Sequence, residues 1–597
     1  MILIIGVKKQ NITIIILHNL IKKNINKMKN RKILSLLAFL SISFAVFANN
    51  GKGIEFYKAG MFDAAKSVFL QQTGQTPDEQ AIAAYYLGLI YANEQNVTAA
   101  AAQFQIAVEI APKSPYGYIG QGRLALKNDL KAAEALFKKA EGLGKKNADV
   151  QVQIADAYFA NNMIAKAETA LEKAKKVNNS FTDIYLLEGE MLLKQTNSET
   201  ISEAITRFND AEYYGETTSK PNKLAFLKLA QMYKMQNRQD KSLESINKAI
   251  ALDKDYLPAY IMLGDILLSQ GKTKEAIAAY EKVINAVEAP IEVFESYAQT
   301  LYFDKQFEKS LEKIQMVLAQ KPDNAVLHRL EAYNLYELER HEEGLQKIEK
   351  FLSSIPQNKH IYLDFITLGR FYTKQKNYEK AMESFNKAIA LDAEKPEIYK
   401  EMALSQSSFE LKNYEDAIRN FDKYFELNQN VLPSELIAYA DICKKGAIEI
   451  LTSYDKNTPA EENAAKKQLF NNYIEKGVKA YSDFIELVRE ISPNLLPTGF
   501  MGKADLYSMV DEFERTETGK MNGIAKPYYE EALVFMLENN AEGRFNRDIV
   551  NSYLYIAAYY VINKDTKNAL DFYDKILVID SENKTAIDNS KLLRRKK

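Results

Sequence analysis

The sequence predicts an all-α chain built of stacked helical hairpins, and three observations predict it. Apolar residues recur at helical intervals in paired runs of about a dozen residues. The pairs repeat at a period near ~34 residues, which marks a repeat architecture before any local assignment is made. Helix breakers are scarce, with 24 Gly and 14 Pro among 597 residues. Composition narrows the field in the same direction. The chain is 47% hydrophobic and 26% charged, with 78 basic against 79 acidic side chains, too apolar for a disordered chain and too balanced for a general nucleic-acid binder. One Cys excludes a disulfide framework.

The first 48 residues stand apart, with eight basic side chains and neither Asp nor Glu. From Met28 the order is a basic stretch through Lys32, an uncharged apolar run from Ile33 to Phe47, and a small residue, Ala48. That order predicts a secretory signal, with translation expected to start at Met28 and cleavage expected after Ala48. The apolar run is shorter than the ~20 residues of a membrane-spanning helix, so the mature chain is expected to hold no integral membrane span. Without those 48 residues the chain carries 70 basic and 79 acidic groups, a net charge of −9.

Residues 50–430 read as about eleven units. A small residue on the first helix of each falls at Gly53, Gly88, Gln121, Ala155, Gly189, Ala230, Gly264, Ala298, Ala332, Gly369 and Ala403. Within a unit, small residues such as Gly88, Ala100 and Ala107 allow two helices to approach, and Tyr91 and Phe104 fill the space around them. Pro77, Pro112, Pro322 and Pro356 are read as stops for second helices. A hairpin cannot bury both faces alone, so the units stack.

These offsets resemble the tetratricopeptide repeat family. Its usual Trp is missing, and aromatics such as Tyr185, Tyr260 and Phe294 occupy that neighbourhood. The resemblance implies a right-handed α-α superhelix whose first helices line a concave groove that holds a peptide or protein partner. Register carried over from the family puts Asp156, Glu190, Gln231, Asp265, Gln299, Tyr302, Arg329, Tyr333, Tyr336 and Arg370 in that groove. The Lys/Asn pattern with which some members clamp chaperone C-termini is absent, since Lys400 is followed four residues later by Leu404.

Residues 431–580 are less regular: diverged repeats with insertions, or a separate small helical domain. Breaks are expected from Ser492 to Gly499 and around Glu514 to Asn522, and 581–597 reads as a capping helix. Catalytic groups are sparse. His328, His341 and His360 lack metal-ligand spacing, Cys443 sits on a helix without a recognisable base, and Gly142 to Lys146 lacks the remainder of a phosphate loop. The sequence therefore implies a non-enzymatic scaffold of the bacterial cell envelope, periplasmic or secreted, with a protein or peptide partner, no nucleic acid, no metal and no cofactor. The alternatives are an enzyme with its site in 440–540, or a carbohydrate or peptidoglycan binder using some of the 36 Tyr.

Overall fold

The computed structural model describes residues 50–71, 76–194, 198–287, 289–455 and 457–595, so the signal-like segment lies outside the described residues. Among these the secondary structure is α-helix with three short 3-10 turns and no strand. The chain is an all-α solenoid, dividing into one unit up to Val317 and a second from Leu318.

In the first unit, hairpins follow one another from Asn50–Lys58 with Phe62–Leu70, through Pro77–Asn93 with Val97–Ile110, to Leu257–Ser269 with Thr273–Ile284. The helix Ile291–Phe303 follows, and the unit boundary falls within Phe307–Gln320. The second unit starts with three similar hairpins, from Ala325–Glu337 with His341–Ser354 to Pro396–Gln406 with Tyr414–Leu427. Longer helices follow, Pro433–Ser453, Ala460–Ile491 and Leu496–Thr518, before the shorter Lys526–Glu538, Asn546–Ile562, Thr566–Ile579 and Lys584–Arg595.

One contact explains the small residues. A Cβ added at Gly88 would stand 2.3 Å from the Phe104 ring, at Gly189 2.4 Å from Phe208, and at Gly369 2.5 Å from Phe385. The aromatic ring of the second helix lies directly on the backbone of the first, and no side chain fits between them. These rings are fully buried, each contributing about 1.5–3 kcal/mol by removal from water. In the third unit the ring of Phe137 rests on Gly122, 2.5 Å from an added Cβ, so the small position is Gly122 and the assignment to Gln121 is one residue early. Gln121 instead donates to Gln105 at 2.9 Å.

The turn between paired helices follows one pattern in most hairpins, the pair Tyr116–Ala125 with Leu130–Leu143 being an exception. A residue with positive φ recurs there at Gly60, Gln95, Asn162, Asn237, Gly271, Lys305, Glu339, Lys376 and Lys564. The next amide reaches back to close the first helix, as in Asn96 N to Tyr91 O at 2.9 Å and Asn377 N to Tyr372 O at 2.9 Å. This left-handed C-terminal cap satisfies a carbonyl the helix leaves open. In several hairpins the second helix then starts on a side-chain cap, for example Asn96 Oδ1 accepting from Ala99 N at 3.1 Å, whereas Met61, Met163 and Arg238 stand at that position without one.

Two expectations are corrected. Pro77 does not end a second helix; it occupies the first turn of Pro77–Asn93, where its missing N–H costs no hydrogen bond. The break expected over Ser492 to Gly499 is shorter, because Pro497 sits in the first turn of Leu496–Thr518 and Gly499 lies inside that helix, its Cα against Ile485 and Phe484.

Candidate functional site

The first helices of the first unit, with Phe62 of a second helix, border an open cavity of about 340 Å³. Tyr57 and Lys58 come from Asn50–Lys58, Tyr86 from Pro77–Asn93, and Gln153 and Asp156 from Ala148–Ala160. Asp183, Leu186, Leu187 and Glu190 come from Thr182–Leu193, and Leu224 and Lys228 from Lys223–Met235. The side-chain pattern of each helix accounts for this: aromatic and Leu residues face inward, with polar residues one turn away on the same helix face.

The N-terminal helix reaches far along the stack. Lys58 pairs with Asp183, 125 residues on. Glu55 meets Lys223 at 2.8 Å, and Lys223 also holds Asp253 at 2.7 Å. Arg123 donates to Asp156 at 2.5 Å, and Lys228 pairs with Glu190 at 2.7 Å. Behind them Tyr116 donates to Asp149 at 2.7 Å and Tyr85 to Gln153 at 3.0 Å. Burial disfavours the Lys58 ammonium, but Asp183 and Asp149 outweigh it and hold the group above the ordinary lysine value. Asp149 is pushed up by burial; Lys58 opposes that rise and Asp183 reinforces it.

Of the residues expected in a groove, Asp156 and Glu190 line this cavity and the other eight do not. Several of those eight take part in a ladder of polar contacts between successive first helices. Asp265 accepts from Lys234 at 3.2 Å and from Tyr280 at 2.7 Å. Arg329 grips the fully buried Asp364 at 2.7 and 3.2 Å and donates to Lys359 O at 2.8 Å. Arg370 donates to Glu401 at 2.5 Å and stands 5.8 Å from the centre of the Tyr336 ring. Tyr336 packs edge-on to Phe371, and Tyr302 lies against Phe303 and Phe307. Gln231, Gln299 and Tyr333 are half-buried on their first helices. Lys58, Asp183, Tyr86 and Lys228 were missed by sequence reasoning. Their meeting depends on how tightly the first hairpins coil, which no spacing within a repeat records.

In the second unit a cleft of about 680 Å³ runs beside Asp422, Phe425, Tyr439, Lys476, Lys479 and Leu487. Cys443 nearby is buried, and burial pushes its thiol well above the ordinary range, the reverse of nucleophile activation. The histidines are dispersed: His328 contacts Pro322 O at 2.7 Å, His360 contacts Leu352 O at 3.1 Å, and His341 lies against Tyr336 and Phe371. Among the described residues no group of three His, Cys, Asp or Glu is placed to hold a metal, and no helix is long and apolar enough to cross a membrane.

Family models described as tetratricopeptide repeat match residues 50–115, 124–189 and 257–286, and one described as TPR repeat matches 369–408. The mitochondrial import receptor subunit TOM70 of Rattus norvegicus is 28% identical over 220 residues, and that of Homo sapiens 26%. Each match covers 35% of this chain and 35% of the receptor, so the chain spans about a third of the length of these relatives. Among solved structures, the C-terminal part of a TPR repeat-containing protein from Cytophaga hutchinsonii is 21% identical, covering 49% of this chain and 98% of that one at a TM-score of 0.38. YrrB, described as a TPR protein with an unusual peptide-binding site, is 20% identical and covers 31% of this chain and 92% of its own at 0.28. Repeated matches to one family, on segments whose helices pair through the same small-against-aromatic contact, make residues 50–115, 124–189, 257–286 and 369–408 tetratricopeptide repeats.

Proposed function

We propose that this chain is a non-enzymatic adaptor of the bacterial cell envelope that holds an extended segment of a protein partner against the first helices of its N-terminal unit. The cavity between Tyr57, Tyr86, Asp156, Glu190 and Lys228 carries this proposal, because it joins apolar area to charged groups at an opening in the stack. Tyr supplies large contact area with a polar end, the combination that anchors interfaces. The basic and apolar order from Met28 to Ala48 supports export.

The test is an affinity purification from cell envelopes with the wild-type chain and a Tyr57→Ala, Glu190→Ala, Lys228→Ala variant. Removing Glu190 and Lys228 together leaves neither charge without its partner. Loss of the wild-type partners from a variant that melts normally is expected; recovery of the same partners would overturn the groove. Periplasmic or extracellular fractionation of the tagged chain tests the location, and retention in the cytoplasm would overturn it.

A further inference from the structure

Charge in the cavity is not evenly matched. The Lys58 ammonium, from the first described helix, is surrounded by the carboxylates of Asp183, Asp149 and Glu190. Asp183 is its direct partner, while Glu190 is shared with Lys228 at 2.7 Å and Asp156 with Arg123 at 2.5 Å. Lysine and arginine charges in the pocket thus each already hold a carboxylate, and carboxylate remains in excess. An incoming anion would have to break one of these pairs and then face the remaining acids. An incoming cation would also displace a partner, Lys58 from Asp183, but would leave the surrounding acids neutralised as Lys58 does. The walls beside that charge are Tyr57, Tyr86, Leu186 and Leu224, surfaces suited to the alkyl stem of a long basic side chain and to its head group over an aromatic face. At about 340 Å³ the space lies at the small end of ligand pockets, which begin near ~300 Å³, and so it admits a side chain with its flanking backbone and not a folded surface.

We propose that this cavity receives a Lys or Arg side chain from an extended segment of the protein partner, and that Lys58 is the chain's own stand-in for that cation. The proposal rests on the groove reading above and adds the chemistry of the occupant. Binding replaces the Lys58 contact with Asp183 by the partner's, while the helix stays seated through its buried Phe56 and the Glu55 pair with Lys223, so that Tyr57 remains a wall of the pocket.

The test uses the full chain and three fluorescein-labelled peptides, Ala-Leu-Lys-Phe-Lys-Leu-Ala and the same peptide with Glu or with Gln for Lys, followed by fluorescence anisotropy. The Lys peptide is expected to bind at least about tenfold tighter than the Glu peptide, by a margin that narrows with salt. Lys58→Met, which keeps the stem and removes the charge, is expected to tighten the Lys peptide by about tenfold; Glu190→Gln is expected to weaken it by several fold. Equal or tighter binding of the Glu or Gln peptide overturns the proposal, as does an unchanged or weaker Lys-peptide affinity in a Lys58→Met variant that melts like wild type. If Lys58→Met lowers the melting midpoint, Glu190→Gln decides, since its half-exposed side chain sits at the opening, and an unchanged affinity there overturns the proposal. Failure of the basic-residue preference while the triple variant still loses its cellular partner removes this inference alone. Retention of the partner by the triple variant removes the groove itself.

Discussion

The short hairpins and the long helices between Pro433 and Thr518 solve the same packing problem with different spacing. In a short hairpin the aromatic ring sits about sixteen positions after the glycine it covers, as with Gly88 and Phe104 or Gly369 and Phe385, and a three-residue turn joins the helices. In the long helices the same contact recurs at unrelated offsets. The ring of Tyr481 lies 2.3 Å from a Cβ added at Gly502, and that of Tyr473 2.7 Å from one at Gly446. The compact turn is gone: residues 519–525 link Leu496–Thr518 to Lys526–Glu538, with Gly519 at φ 74 capping the former. A buried carboxylate replaces part of the lost regularity. Asp511 accepts from Ile524 N at 2.9 Å, Ala525 N at 2.8 Å and the Tyr555 hydroxyl, fastening three helices at one point. Close approach of backbones is therefore the conserved physical requirement in both regions, and repeat spacing is one way to meet it.

The largest expected effect concerns the polar ladder of the short hairpins. Arg329→Met leaves Asp364, fully buried, without its guanidinium, and is expected to lower unfolding free energy by about 3–5 kcal/mol. Denaturant titration of the variant measures this; a loss within error would mean the ladder is incidental to the short-hairpin stack. Gly88→Ala and Gly502→Ala sharpen the comparison directly, each expected to cost about 1–3 kcal/mol through overpacking against Phe104 and Tyr481. A cost at Gly88 alone would show that the long helices do not depend on close approach.

Smaller effects probe the turn. Gln95 and Lys564 hold φ of 60 and 62 at equivalent turns, one early in the chain and one after the long helices. Gln95→Gly and Lys564→Gly are each expected to raise unfolding free energy by about 0.5–1 kcal/mol through relieved strain, read as a slightly higher melting midpoint, and a fall in both would refute a strained cap. The smallest effect is on pH dependence. Burial, then Lys374, holds the His341 imidazole below its ordinary value, while Glu339 opposes this, and the ring lies against Tyr336 and Phe371. The folded chain then binds this proton less readily than the unfolded chain, so the contribution is full above the ordinary His pKa and declines as pH falls below it. Melting midpoints between about pH 7.5 and about pH 5.5 are expected to drop further for wild type than for His341→Leu.

Fold class was legible in the residues because each hairpin's core is local. Gly88, Ala100, Phe104 and Ala107 lie within one period, and helical spacing brings them together without reference to distant chain. Two features of the same hairpins were not legible. Left-handed turn residues are more often Gln, Asn, Lys or Glu than Gly, so the turn carries no glycine signal, and Gln121 for Gly122 is an error of one position that only the ring of Phe137 resolves.

The candidate site divides along the same line. Asp156 and Glu190 were reachable from register, since a first-helix position one after the small residue faces along the stack. Lys58 against Asp183 and Glu55 against Lys223 were not, because they join hairpins separated by three or four others. By itself the sequence determined that helices pair, where they pair and which residues let them touch, all consequences of spacing within about thirty-four residues. Tertiary structure alone decided which charges meet, because the small rotation between successive hairpins accumulates along the stack until the first helix closes on the fifth and sixth.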